Sequence, residues 1–249
     1  LAATSIWGSQ QLNLFDGAKV DGVFAIWYGK GPGADRCGDV FKHANGAGAS
    51  KHGGVLAVVG DDHGCHSSTM PHQSEQIFIA AMMPIVAPAT LQDYLDFGLL
   101  GFALSRYTGC WVGMKAVAQT IETSGTVEID PQRPAIHEPQ DFVPPPDGLG
   151  IRLTDTPLAQ EQRLHGPRMA AVAAFARANA LDRLIYNPAK ARIGIAAAGK
   201  AYLDVREALD QLGPGCVILI SYGLLTLNID TFAEIRFAPL VMDEAQAIK

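Results

Sequence analysis

The sequence predicts an α/β protein with three layers, in which helices cover a mostly parallel sheet. Short apolar runs typical of buried strands alternate with longer stretches whose apolar residues recur at helical spacing. The run Val55–Val59 consists entirely of apolar or small residues, as expected of a strand covered on both faces. The composition agrees with this class, because 48% hydrophobic and 18% charged residues are typical of a globular enzyme.

The first half of the chain alternates helical and extended patterns. Small or polar residues with turn propensity separate most of these stretches, which supports the division into elements. The predicted elements are a helix over Ala2–Leu14, a strand over Val20–Tyr28, a helix over Asp39–Ala49, a strand over Val55–Val59, a helix over Gln73–Met83, a helix over Thr90–Leu100, a mostly apolar helix within Gly101–Thr123 and a candidate strand over Val127–Ile129.

The second half begins with a change of texture. Asp130–Pro157 is rich in proline and poor in apolar pairs, which predicts an extended crossover and not a separate domain. Leu158–Leu184 follows as a helix that is interrupted near Gly166 and Pro167. A strand over Ala191–Ala198 and a helix over Tyr202–Leu212 then predict the start of a second α/β domain.

Composition and charge exclude several classes of protein. The net charge of −6 argues against nucleic acid as the main partner, and no apolar run is long enough to predict a membrane span. The four cysteines form no C-x-x-C pair, so we expect neither a zinc knuckle nor an iron–sulfur cluster here. The absence of a signal-like segment indicates a cytoplasmic protein. Because the chain begins with Leu1 and ends within a motif, we interpret it as a fragment.

The densest group of polar residues follows the second predicted strand. The segment Val55–Glu75 reads VLAVVGDDHGCHSSTMPHQSE, so carboxylates, imidazoles and hydroxyls come directly after a buried strand. Ligands of open α/β sheets bind beyond the carboxyl ends of parallel strands. Each of these residues alone is compatible with a solvated loop, but the cluster as a whole predicts a site.

A glycine-rich loop follows the first predicted strand. Gly29–Ala34 fits the relaxed dinucleotide pattern G-x-G-x-x-A. The match is weak, because Pro32 removes an N–H group from the loop that would cradle a pyrophosphate. What the glycines do predict is a loop whose backbone a flat cofactor can approach closely.

Five long segments, in collinear order, carry a family resemblance over residues 1–213. They are AATSIWGSQQLNLF, WYGKGPGADRCGDVFKHANGAG, HGGVLAVVGDDHGCHSSTMPHQSE, LSRYTGCWVGMKAV and GKAYLDVREAL. This part of the chain resembles the indolepyruvate:ferredoxin oxidoreductases, which belong to the thiamine-diphosphate-dependent 2-oxoacid:ferredoxin oxidoreductases. The resemblance implies that residues 1–185 form most of a pyrimidine-binding domain and that residues 190–213 begin a transketolase-C-like domain.

The resemblance also implies site residues. The cofactor's aminopyrimidine or the substrate would lie near Gly31, Pro32 and Gly33, and His63 would transfer a proton or position a substrate carboxylate. The substrate pocket would be shaped by Asp61, Asp62, Ser67, Ser68, Gln73 and Glu75.

The implied enzyme oxidatively decarboxylates aryl 2-oxoacids of the indolepyruvate type to acyl-CoA and passes the electrons to ferredoxin. Its partners are the 2-oxoacid, coenzyme A, ferredoxin and the remaining domains or subunits. The glutamate that activates thiamine diphosphate lies upstream of Leu1 in the family, so we expect a cofactor half-site and no turnover by the isolated chain. Magnesium and iron–sulfur clusters are expected only in the missing parts of the enzyme.

Residues 214–249 resemble a different family. VILISYGLL and LVMDEAQAIK are similar to Swi/Snf-type helicase-like ATPases, in which Asp243 would hold magnesium and Glu244 would orient water. Gly194–Lys200 also fits a phosphate-loop pattern, although Ala201 lacks the required hydroxyl. The alternative functions are therefore an ATP-driven motor fragment and a catalytically inactive assembly subunit. The change of resemblance near Gly213 suggests a recombined or artefactual reading frame.

Overall fold

A computed structural model gives the arrangement of most of the chain. It describes residues 1–130, 132–188 and 193–212, together with the backbone of two later strands. The elements are α1 (Ala2–Gln10), a 3-10 turn (Leu12–Leu14), β1 (Ala25–Lys30), α2 (Gly31–Asp35), α3 (Gly38–Ala47), β2 (Val55–Asp61), α4 (Glu75–Ala80), β3 (Ile85–Val86), α5 (Leu91–Thr108), β4 (Val112–Val117), α6 (Ala118–Ile121), α7 (Pro157–Arg163), a π-helical turn (Leu164–Arg168), α8 (Met169–Ala178), β5 (Leu184–Tyr186), β6 (Ile193–Ala196), α9 (Gly199–Leu212), β7 (Val217–Ile220) and β8 (Leu240–Met242).

The first sheet has the order β1-β2-β4-β3, and every pair of neighbouring strands is parallel. One face packs against α1 and α3 through a core that includes Phe41 and Trp111. The other face packs against α5 and α8 through Leu104 and Phe175. This arrangement confirms the predicted α/β class, a parallel sheet with helices on both faces.

The predicted helix within Gly101–Thr123 is only partly correct, because its start belongs to α5 and Ala118–Ile121 form α6, but a strand lies between them. α5 ends at Thr108, and Gly109 adopts a left-handed conformation with φ 73°. A side chain at Gly109 would overlap the Leu149 carbonyl, so glycine is required both for the turn and for the close approach. The following segment, Val112–Val117, forms β4 instead and is buried at all six positions. Pairing with strands on both sides thus outweighs the helical spacing of its apolar residues.

Several boundaries also differ from the sequence-based prediction. The first strand begins at Ala25 and extends to Lys30, and the expected glycine loop becomes the short helix α2. The second strand continues through Gly60 to Asp61. The candidate strand at Val127–Ile129 is wrong, because these residues lie in a connection without regular secondary structure. Residues 124–130 and 132–156 form neither helix nor strand, as the proline-rich composition predicted.

The second sheet has the order β5-β7-β6-β8. β5 is antiparallel to β7, whereas β6 is parallel to both of its neighbours. α9 packs on this sheet through Leu209 and the partly buried Val205. The predicted strand and helix of the second α/β unit are therefore present as β6 and α9. The proposed domain limits at 185, 190 and 213 stay predictions.

Candidate functional site

Three neighbouring strands of the first sheet end at the same edge. Lys30 is the last residue of β1 and pairs in register with Gly60, while Asp61 ends β2 opposite Val117 of β4. Parallel strands place their carboxyl ends together, so the connections that follow them converge. The polar segment that the sequence singled out leaves the sheet at this edge.

The connection between β2 and α4, residues 62–74, is called the β2 loop. The Asp62 carboxylate accepts hydrogen bonds from the backbone N–H groups of His66, at 2.9 Å, and Ser67, at 2.8 Å. These hydrogen bonds, the Ser67 N–H above all, lower the pKa of Asp62. The backbone N–H of His72 donates to the Asp62 carbonyl at 3.3 Å. Asp62 therefore closes the loop on itself.

A groove of about 530 Å³, the strand-end groove, lies between the β2 loop and the end of β1. The Lys30 ammonium donates to the Ser67 hydroxyl at 2.7 Å and to the Ser67 carbonyl, which ties the two walls together. The lining residues are Lys30, Pro32, Asp35, Ser67, Ser68, Thr69, Met70, Pro71 and His72. The groove thus combines the Lys30 cation and the Asp35 carboxylate with several hydroxyls and apolar surface.

A buried polar cluster lies beside the groove at the end of β2. The side chain of Asp61 is fully buried, and one of its oxygens accepts from the Ser74 N–H at 3.0 Å and the Ser74 hydroxyl at 2.9 Å. Burial raises the pKa of Asp61. Glu75, the first residue of α4, forms an ion pair with Lys115 of β4, and both are buried. A buried ion pair and a buried carboxylate therefore lie next to each other at this sheet edge.

His72 connects the groove with the buried cluster. Its Nδ1 atom faces an Asp61 oxygen at 3.6 Å, and its Nε2 atom lies 3.3 Å from the Asp35 carboxylate. The ring covers the backbone of Gly31, where any side chain would overlap it. The flat ring that packs on the Gly31 backbone is therefore a side chain of this protein, His72.

The structure brings together only part of the predicted site. Pro32, Ser67 and Ser68 line the groove, whereas Asp61 and Glu75 belong to the buried cluster. The remaining predicted residues lie outside the groove lining. Gly31 lies beneath His72, Gly33 lies near Trp27, and Asp62 holds the β2 loop through hydrogen bonds. His63 is half-buried, and the exposed Gln73 accepts a hydrogen bond from the Gln76 side chain.

Sequence reasoning did not assign Lys30, Asp35 or Lys115 to the site, and it included His72 only as a member of the polar segment Val55–Glu75. Lys115 was placed on a helix, so its position on a central strand next to β2 was hidden. Lys30 lies within the glycine-rich segment Gly29–Ala34 and Asp35 directly follows it, and this proximity was their signal. The alternative metal residues Asp243 and Glu244 lie outside the residues that the structure describes.

The described ranges contain neither a candidate metal cluster nor a candidate membrane-spanning helix. Within residues 1–130, 132–188 and 193–212, no three His, Cys, Asp or Glu side chains are grouped so as to hold a metal ion. None of the helices in the same ranges combines the length and the hydropathy that crossing a bilayer requires.

Comparisons with known proteins relate the chain to oxidoreductases. No protein-family model matches it. The indolepyruvate oxidoreductase subunit IorA of Pyrococcus abyssi is 27% identical over 178 residues, which are 69% of this chain and 27% of that protein. The same subunit of Pyrococcus horikoshii is 25% identical over 178 residues, with the same shares of both chains. This chain therefore spans about a quarter of the length of these relatives.

A solved structure shares the fold. The 2-oxoglutarate:ferredoxin oxidoreductase from Magnetococcus marinus matches with a TM-score of 0.64 and 14% sequence identity, over 98% of this chain and 49% of that one. These comparisons give no support to the helicase-like resemblance of the tail. The chain is thus similar to the IorA subunits of indolepyruvate oxidoreductases, and the family resemblance predicted from its sequence is confirmed.

Proposed function

We propose that this chain is part of a thiamine-diphosphate-dependent 2-oxoacid:ferredoxin oxidoreductase and that its strand-end groove binds an aryl 2-oxoacid. The observation that carries the proposal is the groove itself. It lies at the carboxyl ends of β1 and β2 and includes Pro32, Ser67 and Ser68, which the family resemblance implied. The similarity to IorA subunits supports the indolepyruvate type of substrate. Coenzyme A, ferredoxin and the remaining subunits are the partners of the proposed enzyme.

The chemistry of the groove suits an anion that carries an apolar body. Lys30 supplies a cation for a carboxylate, and the hydroxyls of Ser67, Ser68 and Thr69 add neutral donors. Met70 and Pro71 supply apolar surface for an aromatic ring. A 2-oxoacid with an aryl side chain combines both features in one small molecule.

Among the residues that would contact thiamine diphosphate, those on one wall of the groove fit the cofactor. When bound, this cofactor supplies the carbon nucleophile and the electron sink for decarboxylation. Pro32 lines the groove and offers a flat contact surface, whereas the Gly31 backbone is covered by His72. The assignment of Gly31 and Gly33 to cofactor binding, and of His63 to proton transfer, stays a prediction. The chain's own contribution in this proposal is to hold the substrate carboxylate at Lys30.

The rival motor function is not favoured by the described residues. Lys200, which completes the phosphate-loop pattern, forms an ion pair with Asp204 within α9. Ala201 still lacks the hydroxyl that would bind magnesium.

Substrate binding by the chain itself tests the proposal. Phenylpyruvate added to the ¹⁵N-labelled chain should shift the amide signals of Lys30, Ser67 and Ser68. Lys30→Met should weaken this binding at least tenfold, about 1.4 kcal/mol, because it removes the cation that pairs with the carboxylate.

The matched control is Lys42→Met, which removes an exposed lysine from α3. It should leave the affinity unchanged, and 2-oxoglutarate should bind more weakly than phenylpyruvate because it lacks an aromatic ring. Equal affinities for the Lys30→Met variant and the parent chain would refute the proposed role of the groove.

A further inference from the structure

The His72 side chain lies between two carboxylates of different character. On one side is Asp61, which is fully buried, and on the other is Asp35, whose side chain is 55% exposed at the rim of the groove. His72 itself keeps 14% of its side chain accessible and contributes to the groove lining. The ring therefore links the groove to a carboxylate that water cannot reach directly.

Two buried polar atoms face each other at this contact. Among the described residues, the His72 Nδ1 atom and one Asp61 oxygen have no hydrogen-bond partner, and they lie 3.6 Å apart. The other Asp61 oxygen accepts both hydrogen bonds from Ser74, which fixes the carboxylate plane. Buried polar atoms without a partner are costly, so a hydrogen between these two atoms stabilises the contact. A hydrogen on Nδ1 supplies it.

We propose that Asp61 and His72 form a carboxylate–histidine dyad in which His72 is the proton donor to a ligand in the strand-end groove. Buried Asp61 keeps a hydrogen on Nδ1 and orients the ring, as the aspartate does in a catalytic triad. Nε2 then faces the groove beside Asp35. This inference rests on the proposed function for the identity of the ligand, but the dyad itself does not depend on it.

The proton transfer needs a nucleophile for the carbonyl carbon and a His72 ring that carries a hydrogen on both nitrogens. When a carbon nucleophile bonds to the carbonyl carbon of a bound 2-oxoacid, the second C–O bond opens, and the oxygen takes the proton from Nε2 to form a hydroxyl. The N–H bond at Nε2 breaks, and the neutral ring keeps its Nδ1 hydrogen toward Asp61. Water at the exposed rim of the groove, beside Asp35, supplies the proton that returns to Nε2 afterwards.

Gly31 makes this arrangement possible. A Cβ atom at position 31 would occupy the space of the His72 ring. A Cβ atom at Gly33, two residues further along the same helix, would meet only the Trp27 ring, at 3.8 Å. The first glycine of the G-P-G motif is therefore needed to seat His72, and the second is not.

Histidine NMR on the full chain tests the dyad without requiring turnover. At pH 7 the ring ¹⁵N spectrum should show a hydrogen on Nδ1 of His72. Asp61→Asn retains an acceptor for Ser74 but turns an amide N–H toward Nδ1, so the hydrogen should leave Nδ1 and remain only on Nε2. Asp39→Asn, which removes the exposed partner of His43, should leave the His72 signals unchanged.

A second pair of variants tests the seating of the ring. Gly31→Ala should shift the His72 ring signals, and the Nδ1 hydrogen should no longer be held against Asp61. Gly33→Ala should leave the ring signals and the Nδ1 hydrogen unchanged. If Nδ1 of the parent chain carries no hydrogen, or if Asp61→Asn leaves it in place, the dyad is refuted. If the parent chain shows these His72 ring signals but does not bind phenylpyruvate, the proposed function is refuted and the dyad is not.

Discussion

At the scale of single residues, the Arg168 side chain joins α3 to the proline-rich crossover through buried hydrogen bonds. Its guanidinium is fully buried and donates to the carbonyls of Asn45, Gly46 and Ala47 at 2.9–3.0 Å, which are in the last turn of α3. It also donates to the Leu149 carbonyl at 2.8 Å, in the proline-rich crossover. Burial lowers the pKa of Arg168. The cation thus closes a helix end, where backbone carbonyls are negative and unpaired.

Replacing this side chain should destabilise the protein strongly. Arg168→Met keeps most of the volume but leaves several buried carbonyls without donors, so we expect the free energy of unfolding to fall by about 3 kcal/mol. Urea denaturation monitored by circular dichroism measures this change. The matched control is Arg177→Met, which breaks a solvent-exposed pair with Asp141 and should cost less than about 1 kcal/mol. Equal losses in both variants would contradict the role given to Arg168.

At the scale of elements, the β2 loop should respond to pH in a direction set by Asp62. Its pKa is lowered by the N–H groups of Ser67 and His66, so the folded state favours the ionised carboxylate. The resulting stabilisation is present above the unfolded-state pKa of about 3.9 and is lost as the pH falls through the folded-state pKa. Asp61 acts in the opposite sense, because burial raises its pKa and its contribution declines as the pH rises.

A difference measurement separates these opposing effects. Asp62→Asn should unfold more easily than the parent chain at pH 6, and this difference should shrink toward zero as the pH falls well below about 3.9. Thermal unfolding across that range provides the data, with Asp16→Asn as a control at an exposed site outside the loop. A difference that stays constant with pH would show that Asp62 does not act through its charge.

The elements also show what sequence patterns can and cannot predict. The capped start of α5 at Thr90 and the interruption at Gly166 and Pro167 follow from local chemistry, and both are observed. The strand β4 does not follow from local chemistry, because a central strand and a buried helix segment have similar apolar content. Only strand pairing distinguishes the two. Lys115 was misplaced for the same reason.

At the scale of the whole molecule, the sequence indicated the edge of the sheet where the polar groups meet but not their pairing. Pro32, Ser67 and Ser68 reach the groove because they follow neighbouring parallel strands, which is a topological property. The His72 contacts depend on how the β2 loop closes through Asp62, which no sequence spacing encodes. The loop's polar content was therefore predictable, whereas the division between groove and buried cluster was not.

The second sheet is predicted to depend on the tail, residues 214–249. β6 lies between β7 and β8, both of which come from residues that the sequence assigned to an unrelated fragment. Ending the chain after Leu212 would leave both edges of β6 without hydrogen-bond partners, so its amides should lose most of their protection from hydrogen exchange. The amides of β2, which pair only within the first sheet, are the internal control and should stay protected. If β6 remains protected in the shortened chain, the tail is dispensable for this sheet and is a separate appendage, as the change of sequence resemblance suggested.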